Sequence, residues 1–196
     1  MSLRLCGADG ALTLWVPADP AKVRLSVKAA KSGPATAARV LAVAAAAKGA
    51  LSFLGYQTQK AGSELALAVA SVTPEEASAQ ALGSGGFTPD DFHYMCLKTH
   101  FRKPLAFSWD ALAVARSELG ALRSSEASLA GVTLEPSSRG VTGYQHRFRE
   151  ALQKDFDFPE ALSCVWDGLR PGALSPGSKA ALLRAALPGL GLVTTA

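Results

Sequence analysis

The first 71 residues contain a strand, a long helix and a second strand in that order, and this order constrains the fold more than any other feature. Residues 23–27 alternate apolar and polar side chains as a half-buried strand does, and residues 64–71 are apolar enough to form another strand. The alanine-rich stretch from Ala35 to Leu54 predicts a helix, and Gly55 follows it at the usual C-terminal stop. A crossover of this length joins parallel strands with right-handed topology. The sequence therefore predicts one βαβ unit, preceded by an extended segment over residues 12–16.

A short helix and a flexible stretch are predicted to follow this unit. The run Thr73-Pro74-Glu75-Glu76 matches a capping box with proline at the first helical position, so we expect a helix ending near Leu82 with both glutamates as capping residues. The four small residues from Gly83 to Gly86 form the most flexible stretch of the chain. They indicate a boundary between two domains, residues 1–82 and residues 83–196.

The second predicted domain consists of helices alone. Thr88 and Ser108 each begin a helix, the second running to about Arg123, and the Ser/Gly/Pro-rich residues 124–141 predict a loop. Further helices are expected over residues 144–154, 159–168 and 175–187. Helical spacing places four apolar residues on one core-facing side of the helix after Ser108: Leu112, Ala115, Leu119 and Leu122. The predicted fold class is α/β, with a βαβ half followed by an all-helical bundle.

Composition limits the classes of function. A net charge of +4 without a dense basic block permits an anionic partner but does not require one. The three cysteines are scattered, which argues against a disulfide framework or a zinc knuckle and for a reducing compartment. No apolar run approaches the length of a membrane span, and no signal-peptide core is present. We therefore expect a cytoplasmic protein that does not contact a membrane.

Two segments of the predicted helical half resemble one enzyme family. The segment from Gly86 to Trp109, which contains the run Cys96-Leu97-Lys98-Thr99-His100-Phe101-Arg102, resembles cysteinyl-tRNA synthetases just after their KMSKS loop. Residues 144–192 resemble the helical bundle of the same family. Residues 20–27 and 51–56 match its first strand and the end of its first helix in the right order. The resemblance implies that the βαβ unit is the start of a nucleotide-binding Rossmann fold, whose ligands bind near helix N-termini.

The chain departs from that family at the residues that perform its chemistry. Lys28 stands where the family has a zinc-binding cysteine, and neither histidine of the HIGH motif has a counterpart; only Arg39 remains from the end of that motif. Leu82 leads through four small residues into the next helix, without the connective insert, the other zinc ligands or the KMSKS loop. The resemblance therefore implies no catalytic residues, no bound zinc and no cofactor. We also expect the terminal anticodon-reading domain of the family to be missing.

Four residues are candidates for contact with RNA: Lys98, His100, Arg102 and Lys103. The resemblance places this segment near the incoming acceptor arm of tRNA, and arginine forks suit phosphates. The alternative is that His100 and Arg102 cap a helix end and pack the junction between elements. In the RNA-binding hypothesis, the side chains of Arg102 and Lys103 are expected to be exposed.

Three further residues, Lys28, Lys31 and Arg39, are candidates for an anion or nucleotide site, because they lie around the predicted start of the first helix. The alternative is a solvated loop. His93 is expected on a helix surface, and Cys96 and Cys164 are expected to be inert core thiols.

The function predicted from these observations is that of a non-catalytic relative of cysteinyl-tRNA synthetase, binding tRNA or a protein of translation. Two alternatives remain open. One is a small-molecule or regulatory module that holds a nucleotide or an aminoacyl-adenylate-like ligand, and the other is a structural or dimerisation module. The sequence does not define the oligomeric state.

Overall fold

The computed structural model describes residues 3–6, 11–29, 33–75, 79–136 and 139–192. In these ranges the chain forms short strands and seven helices. The strands are β1 (Leu3–Cys6), β2 (Leu12–Trp15), β3 (Val23–Ala29), β4 (Ser63–Val69), β5 (Val72–Thr73) and β6 (Leu105–Ala106). The helices are α1 (Pro34–Phe53), α2 (Ala79–Ser84), α3 (Pro89–Leu97), α4 (Trp109–Ser128), α5 (Arg139–Gln153), α6 (Phe158–Leu169) and α7 (Pro176–Gly189). The protein is therefore a mixed α/β chain with small sheets.

The predicted βαβ unit is confirmed. Strands β3 and β4 pair in parallel over seven residues each, from Val23 opposite Ser63 to Ala29 opposite Val69, and α1 connects them. On β4, Leu65, Leu67 and Val69 are buried while the residues between them are exposed, so one face of this sheet packs on the core. The helix ends where the sequence indicated, because Gly55 has a φ of 87°, a conformation that residues with a Cβ rarely adopt.

Two other small sheets were not predicted. β1 and β2 form an antiparallel pair, and β5 pairs in parallel with β6, which follows α3. The helix expected from Thr73 is wrong at its start: Thr73 belongs to β5, and α2 begins at Ala79. The prediction failed because Glu75, which matches the capping pattern, hydrogen-bonds the N-terminus of α1 and not the helix that follows it, as described below. Glu76 lies outside the described residues.

The helices of the second half follow the predicted order. Thr88 accepts a hydrogen bond from the backbone of Asp91 and forms a complete capping box at α3, and Ser108 caps α4. α4 continues to Ser128 and α5 begins at Arg139, so the predicted loop over 124–141 is shorter than expected. The four apolar residues expected to face the core on α4 are all buried.

One hydrophobic cluster runs across the predicted domain boundary. It contains residues of α1 and β4 together with residues of α3, α4, α6 and α7, so the core is continuous on both sides of residues 83–86. Phe53 of α1 meets Phe148 of α5 edge to face at a ring separation of 5.0 Å. The division into two domains stays a prediction.

Helix α1 is long and apolar enough to cross a membrane by length and composition, the one such helix among the described residues. About 44% of its most apolar window is buried inside the protein, and the core helix of a soluble protein passes the same test. The finding is therefore weak support for a membrane span.

Candidate functional site

Arg39, one of the predicted anion-binding residues, is buried inside the protein and donates hydrogen bonds to backbone carbonyl oxygens. Its side chain is fully buried, and its guanidinium donates to the carbonyl oxygens of Ala70 (2.9 Å), Lys103 (2.8 Å) and His100 (3.1 Å), with a longer contact to Ser71 (3.3 Å). Burial lowers the pKa of Arg39 below its ordinary value. The arginine thereby joins α1 and the end of β4 to the segment after α3, so residues from the two predicted sites lie in one connected region.

The N-terminus of α1 is occupied by a carboxylate of the chain itself. One carboxylate oxygen of Glu75 accepts hydrogen bonds from the backbone N–H groups of Ala35 (2.9 Å) and Thr36 (3.0 Å), and the other bonds the hydroxyl of Thr36. Thr36 in turn accepts from the backbone N–H of Val72 at 3.0 Å. Free N–H groups at a helix N-terminus are the donors that bind phosphate in nucleotide-binding folds. In this structure a glutamate holds them.

The approach of this carboxylate to the helix depends on Gly33. The backbone of Gly33 is extended, so its conformation does not require glycine. A Cβ at this position, however, would collide with the carboxylate of Glu75. The glycine therefore makes room for an internal acceptor at the start of α1.

Lys28 and Lys31 are the other two candidates for the anion site. Lys28 is exposed near the end of β3 and makes no ion pair with any residue that the structure describes. Lys31 lies outside the described residues. An anion site formed by Lys28, Lys31 and Arg39 together stays a prediction, although Nη1 and Nη2 of Arg39 donate to carbonyl oxygens and its buried Nε has no hydrogen-bond partner among the described residues.

Arg102 is not the exposed side chain that the RNA-binding hypothesis expected. Its guanidinium donates two hydrogen bonds to Asp155, 2.6 Å from Nε and 2.8 Å from Nη2, while the Asp155 side chain is only 5% exposed. The bond to Asp155 raises the pKa of Arg102. The guanidinium also lies 5.0 Å above the ring of Phe101. This bidentate pair connects the segment after α3 to the turn before α6.

His100 belongs to the same cluster. Its ring stacks on Phe101 at a centroid distance of 4.8 Å, its Nδ1 accepts from the backbone of Arg102 (3.3 Å), and its Nε2 lies 3.7 Å from Asp155. Burial lowers the pKa of His100, and the nearby Asp155 partly offsets this. His100 and Arg102 therefore pack the junction, as the structural alternative anticipated.

Lys98 and Lys103 are the candidates that reach solvent. Lys98 is 36% exposed and pairs with Glu118 at 2.8 Å, an exposed ion pair of a kind that contributes little to stability. The side chain of Lys103 is exposed and has no ion-pair partner among the described residues, while its backbone carbonyl accepts from Arg39. We call these two exposed lysines, which lie five residues apart in sequence, the lysine surface. Both side chains are exposed to solvent, so an anion can approach them.

His93 was expected at the surface, and that expectation is wrong. Its side chain is buried on α3, with Nε2 3.0 Å from the carbonyl oxygen of Leu190. Burial lowers the pKa of His93. The contact is 97 residues away in sequence, so no local pattern would have revealed it.

Cys96 and Cys164 are buried, as expected of core thiols, and burial raises the pKa of Cys96 to about 12.

The described residues contain no group of three or more His, Cys, Asp and Glu side chains arranged to hold a metal ion. The absence of zinc stays a prediction. The chemistry that the site does provide is hydrogen bonding and charge: a buried guanidinium, a carboxylate on a helix N-terminus, and lysines at the surface.

Comparisons with known proteins identify relatives in one enzyme family. The chain is 31% identical over 132 residues to the cysteine–tRNA ligase of Treponema pallidum strain Nichols, which covers 57% of this chain and 25% of that protein. It is 33% identical over 84 residues to the Pectobacterium carotovorum cysteine–tRNA ligase (43% and 18%) and 32% identical over 112 residues to that of Borrelia turicatae (51% and 23%). No family model matches the chain. The chain is thus a relative of the cysteinyl-tRNA synthetases over about half of its length, and it spans about a quarter or less of the length of these enzymes.

Proposed function

We propose that this relative of the cysteinyl-tRNA synthetases does not activate an amino acid and instead acts as a cytoplasmic tRNA-binding protein with a trimmed Rossmann-like half and a helical bundle. The observation that carries the first part is Glu75 on the N-terminus of α1. Amino-acid activation develops charge on the α-phosphate of ATP, which needs positioned donors and cations. At this helix the donors are already bonded to a carboxylate that would also repel a phosphate.

The sequence around that helix supports the same proposal. Lys28 replaces a zinc-binding cysteine of the family pattern, and the stretch before Arg39 lacks both motif histidines. The alternative of a nucleotide-binding module is less favoured, because a nucleotide phosphate at α1 would have to displace Glu75 from three hydrogen bonds.

The tRNA partner is supported by the relatives and by the lysine surface. The curated relatives are named as cysteine–tRNA ligases, so tRNA is the nucleic acid on which they act. Lys98 and Lys103 offer two exposed cations in the segment after α3, and Arg102 and His100 anchor that segment through their contacts with Asp155. RNA binding by such a surface is dominated by phosphate contacts and should be sensitive to salt.

Binding of unfractionated tRNA across a salt series tests the proposal. Each neutralised phosphate should contribute roughly 0.7 to 0.9 log units of affinity per log unit of salt. The double variant Lys98→Ala/Lys103→Ala should therefore weaken binding and flatten the slope by roughly 1.5 units, while the matched control Lys22→Ala/Arg184→Ala removes two exposed charges elsewhere and should preserve the slope. An unchanged slope in the first variant would remove the lysine surface from the proposal.

Catalysis is tested separately by cysteine-dependent exchange between ATP and pyrophosphate. We expect none above background from protein freed of contaminating synthetase. Elemental analysis of the same sample should find no stoichiometric zinc. Exchange activity that persists through purification, or one zinc per chain, would contradict the non-catalytic assignment without affecting the tRNA measurement.

A further inference from the structure

The parallel sheet of β3 and β4 has an open edge on β3. The sheet contains only these two strands among the described residues. In a strand, successive residues direct their backbone N–H and C=O groups to opposite sides. The carbonyl of Lys22 accepts from Ser63 on the β4 side, whereas Val23 bonds away from β4, donating to Gln57 (3.0 Å) and accepting from Gln59 (2.8 Å).

The same alternation directs the backbone groups of Leu25 and Val27 to the edge away from β4. Neither residue has a backbone hydrogen bond on that side to any part of the chain that the structure describes. The segment 57–59 begins a third strand beside Val23, parallel to β3, but it stops after one bridge. The chain then turns past Lys22, where Gly62 has a φ of 138° and a Cβ would collide with the Lys22 carbonyl. Beyond Val23, this edge has no strand partner among the residues that the structure describes.

A groove of about 650 Å³ lies beside this edge, between β3 and α1. We call it the edge groove, and its lining includes Arg24, Leu25, Ala45, Lys48, Gln59 and Lys60. On the α1 side the groove is lined by the small side chains of Ala44 and Ala45. On the β3 side it is lined by the half-buried, apolar side chain of Leu25. Side chains of a strand added at the edge would alternate between this groove and the opposite face of the sheet.

The charge of the edge groove is positive. Its described lining contains Arg24, Lys48 and Lys60 and no acidic residue. Arg24 is paired with the exposed Glu64 at 2.7 Å, but Lys48 and Lys60 form no ion pair with any described residue. Unpaired edge groups attract an extended chain, and the lysines select one with negative side chains.

We propose that the β3 edge binds an extended acidic peptide of a partner protein, which adds a strand along Leu25 and Val27 and places carboxylates between Lys48 and Lys60. A peptide fits this surface better than RNA does, because Leu25 and Val27 present both donors and acceptors in strand spacing and phosphates only accept. The site is distinct from the lysine surface, so this proposal does not depend on tRNA binding.

Fluorescence anisotropy with a labelled heptapeptide of alternating glutamate and valine tests the proposal on the full chain. We expect binding that weakens at least tenfold in Lys48→Glu/Lys60→Glu and less than threefold in the matched variant Lys22→Glu/Lys154→Glu. Methylation of alternate backbone nitrogens of the peptide, which blocks strand pairing but keeps every side chain, should also weaken binding at least tenfold. Circular dichroism checks that both variants are folded.

Residue-resolved amide exchange gives a second readout. On peptide binding, the amide protons of Leu25 and Val27 should exchange at least tenfold more slowly, while that of Ser26, which faces β4, should change little. Absence of peptide binding, equal binding of the methylated peptide, or binding without protection of Leu25 and Val27 would each overturn strand addition. Tighter binding of a seven-nucleotide RNA in the groove, abolished by the Lys48→Glu/Lys60→Glu change, would assign the surface to nucleic acid instead.

Discussion

Replacing Glu75 with alanine should both destabilise the protein and create an anion site. The substitution removes a carboxylate that accepts from the N–H groups of Ala35 and Thr36 and from the Thr36 hydroxyl. Loss of a helix N-cap costs about 0.5–2 kcal/mol, and the three hydrogen bonds of Glu75, one of them to the buried Thr36 hydroxyl, place this case near the upper end, at about 2 kcal/mol. For a chain of this size, that corresponds to a fall in Tm of roughly 4–8 °C.

Thermal denaturation of three proteins measures this effect. Glu75→Ala should show the full fall in Tm. The Tm of Glu75→Gln, which keeps one amide oxygen as an acceptor, should lie between those of Glu75→Ala and the wild type. Glu64→Ala is the matched control, because Glu64 is an exposed glutamate in a surface ion pair with Arg24 and should cost roughly 0.2–1 kcal/mol.

The effect of inorganic phosphate on Tm then tests whether Glu75 caps α1 or only makes a surface contact. In Glu75→Ala, the vacated N–H groups should bind the anion, so millimolar phosphate should raise Tm more in this variant than in the wild type. A Glu75→Ala protein as stable as Glu64→Ala, with no extra response to phosphate, would refute the assignment of Glu75 as the carboxylate that closes α1.

Three further outcomes follow from buried groups. Asp155→Asn should lower the free energy of unfolding by roughly 2–3 kcal/mol in urea, because Arg102 loses its charged bidentate partner; a change below about 0.5 kcal/mol would contradict the pairing. Because burial lowers the pKa of His93, the unfolded state binds its proton first, so stability should fall as pH drops below the ordinary value of 6.5. His93→Gln should flatten that dependence in urea titrations at pH 5 to 8, and an unchanged slope would contradict it. Iodoacetamide should modify Cys6 well before the buried Cys96 in folded protein, as peptide mass mapping can check, and equal rates would contradict the burial.

Local patterns were sufficient for most elements of the fold. The strand β3, which was predicted over residues 23–27 and extends to Ala29, the helix that ends before Gly55 and the capped start of α3 each depend on residues close in sequence. β1 was not predicted, because Leu3–Cys6 shows no clear alternation and the strand is defined by its pairing with β2, which begins at Leu12.

The candidate site was harder to predict because its contacts are long-range. Glu75 has the local signature of a cap for its own segment, but its hydrogen bonds go to a helix about 40 residues earlier. Arg102 has the charge expected of a phosphate ligand, but its partner lies 53 residues later. In both cases the residue type indicated that a charged group would form hydrogen bonds. The partner of that group was determined by the tertiary fold.

The position of Arg39 has a consequence for cutting the chain. Its guanidinium is held by carbonyl oxygens 31 to 64 residues away, on both sides of the glycine-rich stretch at residues 83–86. An isolated fragment ending at that stretch would keep the buried cation and lose the acceptors from His100 and Lys103. A protease nick there would sever one peptide bond and leave these contacts in place. The two pieces should therefore remain together after cleavage, and separately expressed pieces should reassemble as a split protein does.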